Sequence, residues 1–191
     1  MKAEDYALVL DFLPKGRSTD YKSEPICIVL GKNFFTLLEV VPKPNIDLKP
    51  QEEVYIGKEQ RDKIDFIKRR INYKDLTTNA INELESAIEK VVAEREQFFV
   101  NFFNKSTAIS LKRHQLELLP GLGKKHLSDI LSERQKMPFS SFADIKQRVS
   151  GIDPIVFIKR RIIEELQGQE EKFYLFTRAP IQEKPFFKKR F

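Results

Sequence analysis

Two glycines one residue apart, Gly121 and Gly123, lie between apolar residues at helical spacing. Leu116 and Leu119 lead into Pro120-Gly121-Leu122-Gly123, and Lys124-Lys125-His126-Leu127 opens a second helical pattern at once. Glycines let the backbone turn through conformations that a Cβ blocks. A chain that reverses so tightly has to pack the flanking segments as a close pair. The first N–H groups of the second helix lack intrahelical partners and carry the positive end of its dipole. A phosphate fits at such a place. The spacing predicts helices over 111–119 and 124–135, ended by Pro138. Ser141 then caps a third helix carrying Phe142, Ile145 and Val149, with Asp144 in the capping-box position. Ser150-Gly151-Ile152-Asp153 makes a second turn, and Pro154 suits the first position of a fourth helix reaching about Leu166.

The two turns differ. The first has both glycines and two lysines. The second has Asp153 where the first has Gly123. A carboxylate there caps its own helix and repels a phosphate. The first turn is therefore expected to bind and the second to pack.

Upstream, residues 1–57 read as strands. The segments 6–13, 26–30, 34–41 and 53–56 are rich in β-formers and are separated by turn signals such as Gly31-Lys32-Asn33 and the prolines at 42, 44 and 50. Short strands of this kind suggest a small barrel, which removes exposed edges by closing. Four strands are few for closure, and 172–177 (Lys-Phe-Tyr-Leu-Phe-Thr) is expected to return as the fifth. Residues 59–71, with Ile64, Ile67 and Ile71 on one stripe, read as an amphipathic helix. A longer helix follows, capped by Thr77 or Thr78, with Leu84, Ile88, Val91, Arg95, Phe98 and Phe102 on one face. At about 25 residues it would span roughly 37 Å. Phe66-Ile67-Lys68-Arg69-Arg70-Ile71 recurs as Phe157-Ile158-Lys159-Arg160-Arg161-Ile162, which on a helix puts a basic cluster outward.

The formal net charge is +6, and its distribution is uneven. Residues 1–57 carry seven Lys/Arg and nine Asp/Glu, and 58–104 nine of each. Residues 105–167 carry twelve against seven, and 168–191 six against three. A basic excess around the first turn suggests a polyanionic partner. The acidic strand region suits orientation or selection better than affinity.

Cys27 is the single cysteine and sits in an apolar run, so it reads as a core residue. With no disulfide framework, no apolar run of membrane-spanning length and an acidic N-terminus unlike a signal peptide, a cytoplasmic protein is expected. His114 and His126 have no metal-ligand spacing, and neighbouring acids such as Glu164-Glu165 point apart on a helix. No phosphate-binding loop of the Gly-x-x-x-x-Gly-Lys type, nucleophile elbow or dinucleotide fingerprint occurs. Neither a catalytic group nor a cofactor nor a metal is expected.

The residues Leu116, Leu119, Pro120-Gly121-Leu122-Gly123, Lys124-Lys125 and Ile130-Leu131, with a second unit over 138–152, resemble the helix-hairpin-helix family in its double form. That resemblance implies binding of DNA or RNA without sequence preference, through turn N–H groups to phosphates. The whole arrangement, from Tyr6-Ala7-Leu8-Val9-Leu10-Asp11 onward, also resembles an archaeal family of unknown function predicted to bind nucleic acid. The expected fold is α+β: an OB-like barrel over 1–57, a long helical connector over 58–104, a double helix-hairpin-helix domain over 105–167 and a basic-aromatic tail over 168–191. The expected function is non-catalytic nucleic-acid binding, RNA ahead of DNA, by Gly121, Leu122, Gly123, Lys124 and Lys125 with Lys112 and Arg113; Lys188-Lys189-Arg190 of the tail would assist. Phe34, Phe35 and Tyr55 are candidates for stacking on single-stranded bases. The alternative is a protein-interaction adaptor in which both turns are structural. No membrane partner is expected, and the sequence leaves the oligomeric state open.

Overall fold

The computed structural model describes residues 3–17, 23–111, 113–168 and 172–181. Five strands form one antiparallel sheet: β1 (Tyr6–Leu13), β2 (Ile26–Gly31), β3 (Leu37–Pro42), β4 (Glu53–Tyr55) and β5 (Ile64–Arg70). Their order is β4-β1-β2-β3-β5, so β1 to β3 form a meander and the last two strands flank it. The sheet curls into a half-barrel that stays open between β4 and β5. Bulges at Val9/Asp11, Glu39/Val40 and Val41/Pro42 accompany the curl.

Alternation sends two sets of side chains to opposite faces. Ala7, Val9, Cys27, Val29, Leu38 and Val40 fill the inside of the curl with Leu48, Val54, Ile56 and Ile64. Leu8, Leu10, Ile28, Leu30 and Leu37 face the helices. Burial pushes the Cys27 thiol far above its usual value, with the Asp11 charge adding to the shift, so it stays protonated and inert.

Two expectations fail here. Residues 64–70 are a strand and not part of a helix: β5 covers the edge that β3 would otherwise leave bare. Glu39 shows why the pairing holds. It is 1% exposed and accepts from Arg17 Nε at 2.5 Å and from Arg69 Nε at 2.6 Å, Arg69 being its cross-strand partner. The segment 172–177 is no strand, and β5 has taken the place expected for it. Instead it lies against the helices, with the Phe176 ring 5.2 Å from that of Phe99 and 5.1 Å from that of Phe102.

The expected long helix is two, α1 (Thr78–Glu94) and α2 (Glu96–Lys105). Thr77 caps α1 by accepting from Ala80 N–H, and its hydroxyl donates to Asp11 of β1 at 2.6 Å, which pins the helix to the sheet. The break falls at Arg95 (φ −108°, ψ 27°). Its guanidinium donates to the carbonyls of Lys32 and Asn33 in the β2–β3 turn. Burial lowers its pKa, with the Glu4 charge opposing the shift, while the two carbonyls favour the charged form.

Beyond α2 come β6 (Ala108–Ser110) and β7 (Arg113–His114), a small antiparallel pair, then a 3-10 turn over Gln115–Leu118. The helix expected over 111–119 is thus absent. His114 caps the turn, its Nδ1 accepting from Leu116 N–H while Glu117 accepts from the His114 N–H. The last three helices are α3 (Lys124–Lys136), α4 (Phe142–Arg148) and α5 (Pro154–Gln167). Ser141 caps α4 as expected. One cluster of buried residues runs from Leu8 and Ile28 of the sheet through α1 and α2 to Leu122, Ile130 and Ile158.

Candidate nucleic-acid interface

The first turn is built from the core outward. Leu116, Leu119 and Leu122 are buried, so the turn is anchored on both sides and at its tip. Leu119 N–H donates to the Leu116 carbonyl and Leu122 N–H to the Leu119 carbonyl, at 3.0 and 3.1 Å. Gly121 has φ +86°, in the left-handed region. A Cβ on it would lie 3.2 Å from the ring of Phe157 in α5.

Gly123 is different. It is the N-cap of α3 in extended conformation (φ −80°, ψ 171°), which any residue adopts. A Cβ there would touch nothing within 4 Å. What glycine does at this position is leave the helix end uncapped. Among the described residues no acceptor takes the N–H groups of Gly123, Lys124 or Lys125.

The side chains of Lys124 and Lys125 are exposed and form neither an ion pair nor a hydrogen bond among the described residues. A third cation joins them that the turn sequence did not point to. Arg160 of α5 is exposed and equally unpaired, and its Nη1 lies 3.8 Å from the Cβ position of Gly121. The Lys159-Arg160-Arg161 repeat was the available signal. Its neighbours are spent elsewhere: Lys159 Nζ pairs with Glu85 and Glu89 of α1, and Arg161 is buried against Glu165. In the first copy Lys68 pairs with Glu24, Arg69 with Glu39, and Arg70 donates to the carbonyls of Arg178 and Ala179.

Arg113, expected to flank the turn from a helix, lies on β7 with its guanidinium 5.9 Å from the Phe173 ring. Lys112, Lys188, Lys189 and Arg190 lie outside the described residues. Burial and the Arg134 guanidinium push the pKa of His114 down, which suits its role as an acceptor. His126 Nε2 sits 3.5 Å from the Cβ position of Gly151, under the second turn.

That second turn has the same left-handed glycine, Gly151 at φ +80°. Its helix end is closed. Asp153 accepts from Ile155 N–H at 3.1 Å, and its other oxygen pairs with Lys146 at 2.6 Å. The difference between Gly123 and Asp153 therefore separates an open N-terminus from an occupied one.

Phe34 and Tyr55 border an open cleft, whereas Phe35 is 1% exposed and belongs to the core. Among the described residues no three His, Cys, Asp or Glu side chains gather as metal ligands, and no helix is long and apolar enough to cross a membrane.

Fold and site together define an α+β protein with a curled antiparallel sheet, five helices among the described residues, and an α3 N-terminus without a side-chain cap at the turn that Lys124, Lys125 and Arg160 border. The chain belongs to the family described as protein of unknown function (DUF655), which matches residues 3–178. It is 44% identical over 178 residues to "Uncharacterized protein MJ0038" of Methanocaldococcus jannaschii, covering 93% of this chain and 81% of that one. The crystal structure of Af1531 from Archaeoglobus fulgidus, 46% identical, superposes with a TM-score of 0.85 over 92% of this chain and all of the other.

Proposed function

We propose that this protein binds nucleic acid through backbone phosphates at the first turn, without sequence preference and without catalysis. In this reading the curled sheet is OB-like. Residues 105–167 are a double helix-hairpin-helix unit whose first helix has shrunk to the 3-10 turn at Gln115–Leu118. The observation that carries the proposal is that Lys124, Lys125 and Arg160, unpaired among the described residues, border one turn, at a helix end whose first N–H groups have no acceptor among those residues. A phosphate there would gain backbone donors and three charges together. The matched second turn, satisfied by Asp153 and Lys146, supports the same reading by contrast.

The grip is on a group that RNA and DNA share, so the test carries both, with RNA expected to bind at least as tightly. Affinity should fall steeply with salt, because neutralised phosphates release counterions. The triple variant Lys124→Ser, Lys125→Ser, Arg160→Ser should bind weakly and flatten the log-affinity against log-salt slope by about two to three. An unchanged slope in a folded variant would sink the proposal. No binding of any nucleic acid at low salt would favour the adaptor role.

A further inference from the structure

Two clefts meet along the open side of the sheet. The larger, about 820 Å³, lies between the β2–β3 turn, the end of β4, α2 and the 175–177 segment. The smaller, about 350 Å³, lies where β4 and β5 fail to join. Ala3 and Lys58 border both, so the two form one groove.

Its chemistry changes along its length. In the larger cleft Phe98 is 50% exposed, a high exposure for a phenylalanine next to the buried Phe99. The Arg95 guanidinium holds that ring from 4.5 Å, and the Arg178 guanidinium holds the ring of Phe34 from 4.4 Å. The carboxylates of Asp5 and Glu59 line the same cleft and neither accept a hydrogen bond nor join an ion pair among the described residues. The smaller cleft is cationic, with Arg61, Arg70 and Arg178 beside Lys58. Its one carboxylate, Glu4, is already held by the N–H groups of Asn33, Phe34 and Thr36.

The two buried hydroxyls without a partner among the described residues, Thr36 and Thr177, fall one in each cleft. Unpaired buried polar groups are costly and uncommon. Both oxygens are shielded from solvent at the cleft walls, where a ligand could supply the missing partner.

We propose that this groove binds a nucleotide, its base against Phe98 and Phe34 with its exocyclic amino group donating to Asp5 and Glu59, and its phosphate toward Lys58, Arg70 and Arg178. A purely apolar ligand would leave both carboxylates dry and unpaired. A bare phosphate in the larger cleft would face them. A flat, amino-bearing ring joined to an anion satisfies both ends. The site stands on residues none of which belong to the first turn, so it does not depend on phosphate binding there.

The same chemistry arrives as a free mononucleotide or as the end of a single strand. The test is titration of the full chain with adenosine monophosphate and, in a Lys124→Ser/Lys125→Ser background, with a short oligoadenylate, followed by calorimetry and amide chemical shifts. Binding is expected to saturate, and Phe98→Ala should weaken it about tenfold. Asp5→Asn, at an exposed position, should weaken it as well and guards against misfolding of the first variant. Saturation by the mononucleotide assigns a free nucleotide; saturation by the oligomer alone assigns a strand end. Monophosphate affinity should be the same with and without the two lysines of the turn, which keeps this site's result separate from that one's. The proposal is overturned if neither ligand saturates at millimolar concentration, or if both groove variants bind like the parent.

Discussion

Gly121 and Gly123 serve different ends, although one motif contains both. Gly121 is fixed by backbone geometry and by the nearby Phe157 ring. Gly121→Ala should cost about 1–2 kcal/mol of stability, read by urea denaturation, because it forces a left-handed φ on a Cβ. Gly123 is free of both constraints. Gly123→Asp imports the closure seen at Asp153, so stability should hold or rise by a few tenths of a kcal/mol, and the proposed nucleic-acid binding should be lost. Glu39 sets a pH dependence. Burial raises its pKa, but the hydrogen bonds from Arg69 and Arg17 outweigh that and hold it below 4.5. A depressed carboxyl contributes stability that is present above its unfolded value and lost as pH falls through the folded one. At neutral pH Glu39→Gln should cost about 2 kcal/mol. That gap should narrow as pH drops below 4.5, measured by urea titrations at stepped pH.

Phe-Ile-Lys-Arg-Arg-Ile is written twice in this chain and folds two ways. At 66–71 it is largely the strand β5, and at 157–162 it is helix α5. In the strand Phe66 and Ile67 are 42% and 37% exposed; in the helix Phe157 and Ile158 are 8% and 0% exposed. Six residues cannot decide, because a helix stripe and an edge strand both accept them. What decides is a bare edge of β3 in one case and a waiting groove of α1 in the other. This explains which elements could be read from sequence. β1, β2, the cap at Ser141 and the start of α5 at Pro154 have local signals and lie where expected. β5, the break at Arg95 and Arg160 beside the first turn depend on partners far along the chain. The same holds for 172–177, whose alternation suggested a strand. Its backbone N–H groups go to a side chain: Glu165, 0% exposed, accepts from Leu175, Phe176 and Thr177 and from Arg161 Nε. Glu165→Ala should cost about 3–5 kcal/mol in thermal or chemical denaturation, because Arg161 is left buried without its counter-charge.

Across the whole molecule the buried cluster does not stop at the boundary near 105 that the sequence suggested. It joins the outer face of the sheet, α1, α2 and the helices around the first turn. Calorimetry should therefore record one cooperative unfolding transition, and an excised 105–167 fragment should not hold its fold, since α5 loses α1 as its packing partner. The segment near Glu165 completes this core late in the chain. A product broken off just before Leu175 would contain every strand and helix described above. It would still bury a carboxylate stripped of three donors and leave the Phe99 and Phe102 rings without Phe176. The chain thus delivers this closing piece only after every strand and helix described above. A product broken off before that piece would stay loose enough for proteases to clear, so the architecture itself tests whether translation has passed Thr177.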